Sequence, residues 1–258
     1  MLAAPVMASV GTSAVADQLN RAGVACLPDV IAPHVVAAAQ HELRALVAQN
    51  GHASFALLDL EQKPDLTIGG LAADASLRGL VEELMEFACP QDAWPARRDA
   101  LGTSLNVTVT SDQPSRSGNL HYDASIVTVV VPLQIPDCGC GQSGELVVFP
   151  NKRPFRHSVA RNVVDKVRDQ NGRTASRMLD RMRCGAEGDC LPLKVGNVYA
   201  FWGYRTLHGT LPCPAGCVRA TLTIHGGDPH GNAPALRLLK SANDFRAARS
   251  GWRRVVHT

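Results

Sequence analysis

Two histidines, an aspartate and an arginine carry the chemistry that this sequence suggests. His121 and Asp123, in NLHYDASIVTV (119–129), stand two residues apart at the start of a β-branched run. Residues i and i+2 of a strand project to one face, so the imidazole and the carboxylate can point together into a cavity while Tyr122 faces away. His208 follows 87 residues later, on a loop after an aromatic strand in YRTLHGTLPCPAGCVRATLTIH (204–225), and Arg219 lies eleven residues beyond it. Two imidazoles and one carboxylate on one face of an iron leave adjacent positions open, the 2-His-1-carboxylate arrangement of non-heme Fe(II) oxygenases. Two open positions can chelate a 2-oxo acid and the third can take O2. A guanidinium suits the far end of such a co-substrate, because its planar fork matches a carboxylate in two hydrogen bonds and keeps its charge. Arg219 is therefore the candidate partner for the distal carboxylate of 2-oxoglutarate. Thr221, on the same strand face, is a second candidate donor.

The elements that must position these residues are legible from periodicity. TSAVADQLNRAG (12–23) has apolar residues at helical spacing, a Thr/Ser opening that can cap, and a closing glycine. VACLPDVI reads as a short strand and turn. APHVVAAAQHELRALVAQNG (32–51) sets Val35, Val36, Ala39, Leu43, Leu46 and Val47 on one stripe, and ASLRGLVEELMEFA (75–88) fits a further helix. Near residue 100 the texture turns from α to β. The β-branched runs are 104–111, 125–135, 144–150, 196–203 and 217–227, punctuated by Gly and Pro, which suits a sandwich or barrel. Residues 160–183, charged and helix-like, read as an insertion or lid.

At 258 residues, 45% hydrophobic and 19% charged, the chain has the composition of an ordinary globular protein, expected to form one domain. That domain divides into a helical support region (1–100), a β core (101–230) with an insertion at 160–190, and a tail (231–258). Its 26 basic and 23 acidic residues leave a net charge of +3, which gives no reason to expect nucleic acid as a partner. No stretch approaches the roughly 20 apolar residues that span a bilayer, and the start lacks a positive leader, so the expectation is a cytoplasmic protein without a membrane partner. The sequence carries no signal for an oligomeric state. Eight cysteines include three loose pairs, 138/140, 184/190 and 213/217, without zinc-ribbon spacing; reduced thiols are expected, with Cys26 and Cys89 in the core.

Taken together, the motifs resemble the Fe(II)/2-oxoglutarate-dependent oxygenase superfamily, and within it the phytanoyl-CoA dioxygenase-like branch. LNRAGVACLPDVIAPHVVAAAQHELRAL is similar to that branch's N-terminal strand, turn and helix; HYD to its HxD; GELVVFPN to its glycine-led strand ending in proline; and LHGTLPCPAGCVR to its distal histidine and arginine. The basic continuation PNKRPFRHS departs from the Gly-Ser-His turn the family often has there. The resemblance implies a mainly β protein with α elements, a double-stranded β-helix (a jelly roll of cupin-like type) with helices packed on one side and iron between the sheets. It implies Fe(II), 2-oxoglutarate and O2 as cofactors and co-substrates, 2-oxoglutarate being decarboxylated to succinate as an unactivated C–H bond of a small-molecule substrate is oxidised. Related halogenases replace the carboxylate ligand with a small residue, so Asp123 favours hydroxylation, desaturation or ring formation. The family also places 2-oxoglutarate contacts near the strand before HxD, which makes Asn106 and Thr108 candidates.

Arg153 and Arg156 are candidates for an acidic substrate, against the alternative of a solvated loop, and Trp202 and Tyr204 for substrate contact, against core or rim packing. His225 has no assigned role. Two other readings stay open: a cupin-type metal enzyme that does not use 2-oxoglutarate, and a non-catalytic binding domain on the same fold.

Overall fold

The strand Val218–Asp228 shows in one element how the fold is built. Ala220, Leu222 and Ile224 alternate with Arg219, Thr221, Thr223 and His225. The first set joins a large apolar core with helical side chains, and the second faces the interior between two sheets. Period-two alternation lets one strand serve both a core and a site.

The computed structural model describes residues 11–88, 97–110, 120–156, 158–230 and 253–255. In chain order the elements are α1 (Thr12–Ala22), β1 (Val24–Leu27), α2 (Pro33–Gln49), β2 (Phe55–Leu58), α3 (Thr67–Ala72), α4 (Ala75–Ala88), β3 (Arg97–Val109), β4 (Val127–Gln134), β5 (Leu146–Phe149), α5 (Val159–Asp169), α6 (Gly172–Arg183), β6 (Asp189–Leu191), β7 (Val198–Phe201), β8 (Leu207–Thr210), β9 (Val218–Asp228) and β10 (Arg253–Val255). The seven-stranded sheet runs β1-β7-β4-β9-β3-β2-β10 and the three-stranded sheet runs β6-β5-β8. The protein is a mainly β structure with α elements, a double-stranded β-helix or jelly roll with N-terminal helices packed on the large sheet's outer face.

That outer face is the main core. Leu105, Val107, Val129, Val131, Ala200, Leu222 and Ile224 meet Leu19, Leu43, Leu77, Val81 and Leu84 of the helices. Fully burying each Leu, Ile or Val side chain contributes about 1.5–3 kcal/mol, so this stripe-on-sheet contact dominates what holds the scaffold rigid. The small sheet is also two-faced. Leu146 and Val148 of β5 pack inward with Val130, Tyr199 and Phe201. Val147 and Phe149 pack outward with Ala175 and Met178 of α6.

Several expectations change. The helical support region also holds strands: besides β1, which VACLPDVI announces, β2 belongs to the large sheet and β3 begins at Arg97. The four-residue FALL of β2 lacks a polar alternate because it is buried on both faces, which removes its sequence signature. The 160–190 segment folds as α5, α6 and β6, and α6 packs against the back of the small sheet. Within the expected tail, β10 pairs in parallel with β2. Cys26 is exposed rather than in the core, and Cys89 lies outside the described residues. The cap of α1 is Gly11, with no side-chain hydrogen bond, rather than the Thr/Ser opening. Among the described residues no helix is long and apolar enough to cross a membrane.

Candidate active site

His121 and His208 are held side by side by their own backbones. His121 N–H donates to the His208 carbonyl at 2.8 Å and His208 N–H donates back to the His121 carbonyl at 3.0 Å. Such a hydrogen-bonded antiparallel pair puts both side chains on one face, and the two rings lie 4.4 Å apart. His208 therefore sits within β8 and not on the loop expected from sequence; LHGT is too short and too glycine-rich to announce a strand.

Asp123 completes the cluster. Its Oδ1 is 3.5 Å from His121 Nε2 and its Oδ2 is 3.5 Å from His208 Nε2. The three ligand atoms all lie within 4.8 Å of one another. Thr128 Oγ1 donates to Asp123 Oδ2 at 2.5 Å, and Asp123 N–H donates to the Gly203 carbonyl at 3.0 Å. Gly203 is required by proximity: a Cβ there would stand 2.3 Å from Thr128 Oγ1 and 2.8 Å from Asp123 Oδ2.

Protonation states suit a metal. The Nδ1 of His208 lies 3.0 Å from the Thr206 carbonyl, which can only accept, so Nδ1 carries the proton and Nε2 presents its lone pair toward Asp123. Burial pushes the His208 imidazole down to about 4, a shift Asp123 only partly offsets, so it is neutral near pH 7. Burial alone would raise Asp123, yet His208, the His121 hydrogen bond and His225 outweigh it and hold the carboxyl well below the usual range. A neutral His208 nitrogen and an ionised Asp123 oxygen, with the His121 imidazole beside them, are donor types of a facial triad. The His121 side chain is 46% exposed against 7% for His208, so the cluster opens on one side.

Arg219 stands on the same inner face of β9, and it is 8% exposed. Its Nε donates to the Gly144 carbonyl at 2.9 Å. Burial lowers its guanidinium to about 10, with Cys213 and Glu145 opposing, so it remains charged at neutral pH. Among the described residues it has no acidic side chain at ion-pair distance. Buried charges are ordinarily paired, so this guanidinium has the character of a receptor for an external anion. Gly144 has φ +69°, and a Cβ on it would lie 2.4 Å from Arg219 Cδ.

Thr221, buried at 4%, lies two residues from Arg219 on this face. Asn106 and Thr108 of β3 are the register partners of Thr221 and Arg219. The Asn106 amide donates to Ser104 Oγ and Thr223 Oγ1, each at 3.0 Å. The cofactor candidates thus form one polar row across two adjacent strands.

The candidate substrate residues have other engagements. Arg153 is 1% exposed, stacked 4.0 Å from the Tyr122 ring and 4.1 Å from the Tyr204 ring. Its Nε donates to the Tyr204 carbonyl and its Nη1 to Asn162. Arg156 pairs with Asp165 at 2.8 Å. Trp202 is buried in the main core and donates to Asn20 Oδ1. Tyr204, equally buried, meets His230 at 2.9 Å. These contacts hold α5 and the β7–β8 connection in place, so Arg153 is not the solvated loop residue its KRPFR setting suggested.

His225, which the sequence gives no role, joins the cluster: its Nδ1 is 3.0 Å from Ser125 Oγ and 3.8 Å from Asp123 Oδ2. The alternation Arg219, Thr221, Thr223, His225 was the available signal, since it sets all four on one face.

No protein-family model matches the sequence, and no curated protein sequence matches it either. Solved structures match in fold. A prolyl 4-hydroxylase structure from Phytophthora capsici aligns with a TM-score of 0.57 at 17% identity, over 89% of this chain and 66% of that one, so this chain spans just under two thirds of it. The non-heme alpha ketoglutarate dependent carbocyclase SnoK from nogalamycin biosynthesis aligns with a TM-score of 0.54 at 16% identity, over 86% of each chain. The alpha ketoglutarate dependent epimerase SnoN from the same biosynthesis aligns with a TM-score of 0.53 at 17% identity, over 83% of this chain and 80% of that one. At these identities the likeness is one of fold.

Proposed function

We propose that this protein is an Fe(II)- and 2-oxoglutarate-dependent oxygenase that oxidises an unactivated C–H bond of a small metabolite, with hydroxylation as the default outcome. The observation that carries this reading is the meeting, between the same two sheets, of the His121, Asp123 and His208 cluster with a buried Arg219 that has no acidic partner among the described residues. His121, Asp123 and His208 would hold the metal, and the neutral His208 nitrogen, the ionised Asp123 and the converging ligand atoms fit it. When bound, Fe(II) with 2-oxoglutarate supplies the activation of O2 that the protein's own side chains lack.

The rest of the work belongs to this chain. Arg219 fixes the distal carboxylate of 2-oxoglutarate by charge-assisted hydrogen bonds in a water-poor interior, where such bonds are strong. Thr221 and Asn106 offer polar contacts beside it, with Thr108 at the edge of the same row. Thr128 orients the Asp123 carboxylate, and the Thr206 carbonyl fixes the His208 tautomer. His121, at the open side, marks the approach for substrate, with His225 beside it. SnoN has been solved in complex with Fe3+, alpha ketoglutarate and nogalamycin RO, a precedent for this fold with that pair of ligands.

The phytanoyl-CoA dioxygenase-like assignment belongs to the same reading and rests on the HYD, GELVVFPN and LHGTLPCPAGCVR motifs. A cytoplasmic setting is part of the same proposal.

The test is an anaerobic titration of the purified protein with Fe(II) and then 2-oxoglutarate. A weak visible charge-transfer band that vanishes on adding O2, with succinate formed, is the expected result. Iron binding without the band would favour a cupin-type enzyme that does not use 2-oxoglutarate.

A further inference from the structure

Cys138 and Cys217 are far apart in sequence, yet their sulfurs lie 3.1 Å apart. They are 79 residues apart in sequence, so this contact is a product of the fold. Cys138 lies in the segment joining β4 to β5, Cys217 directly precedes β9, and both are partly exposed. We propose that these two cysteines are a reversible dithiol–disulfide pair whose oxidation clamps together the two segments that position Arg219.

Both cysteines stand on tied backbone. Cys138 N–H donates to Ser143 Oγ at 3.0 Å, and the Gly141 and Ser143 N–H groups donate to the Glu145 carboxylate. On the other side Thr110 N–H donates to the Cys217 carbonyl at 3.0 Å. The sulfurs are therefore held in contact, and forming a bond of about 2.05 Å asks for a displacement on the order of 1 Å.

The link to Arg219 is direct. Cys217 stands two residues before Arg219, immediately ahead of β9, and the segment that begins at Cys138 runs to Gly144, whose carbonyl takes the Arg219 Nε–H. The buried Cys213 lies against the same guanidinium. Drawing the sulfurs together pulls the Gly144 segment along the start of β9 and shifts that carbonyl against the guanidinium.

The oxidant is a small-molecule disulfide of the glutathione type. One cysteine thiolate attacks an oxidant sulfur, breaking its S–S bond and expelling one thiolate. The second cysteine thiolate then attacks the mixed disulfide, forming the internal S–S bond and expelling the other. Two electrons pass to the oxidant, and the two protons given up by the cysteines end on the two released thiols. The hydrogen bond to Cys217 raises the Cys138 thiol above its ordinary value, so the exchange quickens as pH rises.

The consequence for co-substrate rests on the reading of Arg219 proposed above, and the experiment separates the two. The full chain, without metal, is equilibrated with graded mixtures of oxidised and reduced glutathione, alkylated, digested and analysed by mass spectrometry. A peptide joining Cys138 to Cys217 is expected, lost in Cys138→Ser and Cys217→Ser and kept in Cys140→Ser. Pairing of Cys138 with Cys140, pairing of Cys213 with Cys217, or separate glutathione adducts would overturn the pair. Oxidised protein should then bind 2-oxoglutarate, with Fe(II) under anaerobic conditions, on the order of tenfold more weakly than reduced protein, about 1.4 kcal/mol, and Cys217→Ser should be insensitive to the treatment. An unchanged affinity in cross-linked protein would overturn the clamp. If reduced protein binds no 2-oxoglutarate at all, the Arg219 reading fails while the peptide map still judges the disulfide.

Discussion

Gly144 and Arg219 are built for each other: the glycine's carbonyl takes the arginine's Nε–H at 2.9 Å, and the space a Cβ would need is filled by the arginine's Cδ. The positive φ of Gly144 adds a second reason for glycine. Gly144→Ala should therefore cost about 1–2 kcal/mol from the left-handed backbone alone. It should also push the guanidinium aside and weaken 2-oxoglutarate binding. Thermal unfolding with a parallel anaerobic titration measures both; full stability with full affinity would mean that this contact does not set the arginine's position.

Arg219→Ala separates the co-substrate from the metal. Truncating one member of a buried charge pair costs about 2–5 kcal/mol, so 2-oxoglutarate affinity should fall roughly 30-fold or more. Fe(II) uptake should be unchanged, because the cluster's ligand atoms come from other elements. His208→Ala should show the opposite pattern, with metal binding lost.

Arg153 is expected to matter for stability and not for co-substrate. Arg153→Met removes charge-assisted bonds to the Tyr204 carbonyl and Asn162 and two ring contacts, a loss of about 2–4 kcal/mol. In a protein of this size that lowers Tm by roughly 5–15 °C. A variant with unchanged Tm would return Arg153 to the list of substrate contacts.

Asp169 supplies an acid-sensitive tie between α5 and Tyr122. Its burial would raise the carboxyl, but hydrogen bonds from Arg168 and Tyr122 outweigh that and hold it below its ordinary value. The folded protein consequently binds fewer protons than the unfolded chain just below pH 4, the ordinary carboxylate range. The stability this group contributes is complete above that range and declines as pH falls through the folded value. Asp169→Asn should flatten the fall of Tm between about pH 5 and pH 3, where unfolded carboxylates titrate. An identical profile in both proteins would show that other carboxylates carry the acid dependence.

The sequence by itself determined what is local or periodic. The alternation in HYD and in VRATLTIH sets His121 with Asp123 and Arg219 with Thr221. The 3.6-residue stripes of α2 and α4, and the β-branched runs that became β4, β5, β7 and β9, read directly because side-chain period follows from backbone geometry. What only the tertiary structure decided are pairings between distant segments and the burial they create. That His208 lies in a strand is a property of its bonds to His121, since LHGT has no strand pattern of its own. Arg153 reads as a solvent-exposed charge in KRPFR, and only the closing of Tyr122 and Tyr204 over it makes it structural. Cys138 and Cys217 meet because the β4–β5 segment and the start of β9 are brought together, a contact that spacing along the chain does not reveal. Local geometry is written in neighbouring residues, whereas contact between remote segments depends on how whole sheets pack.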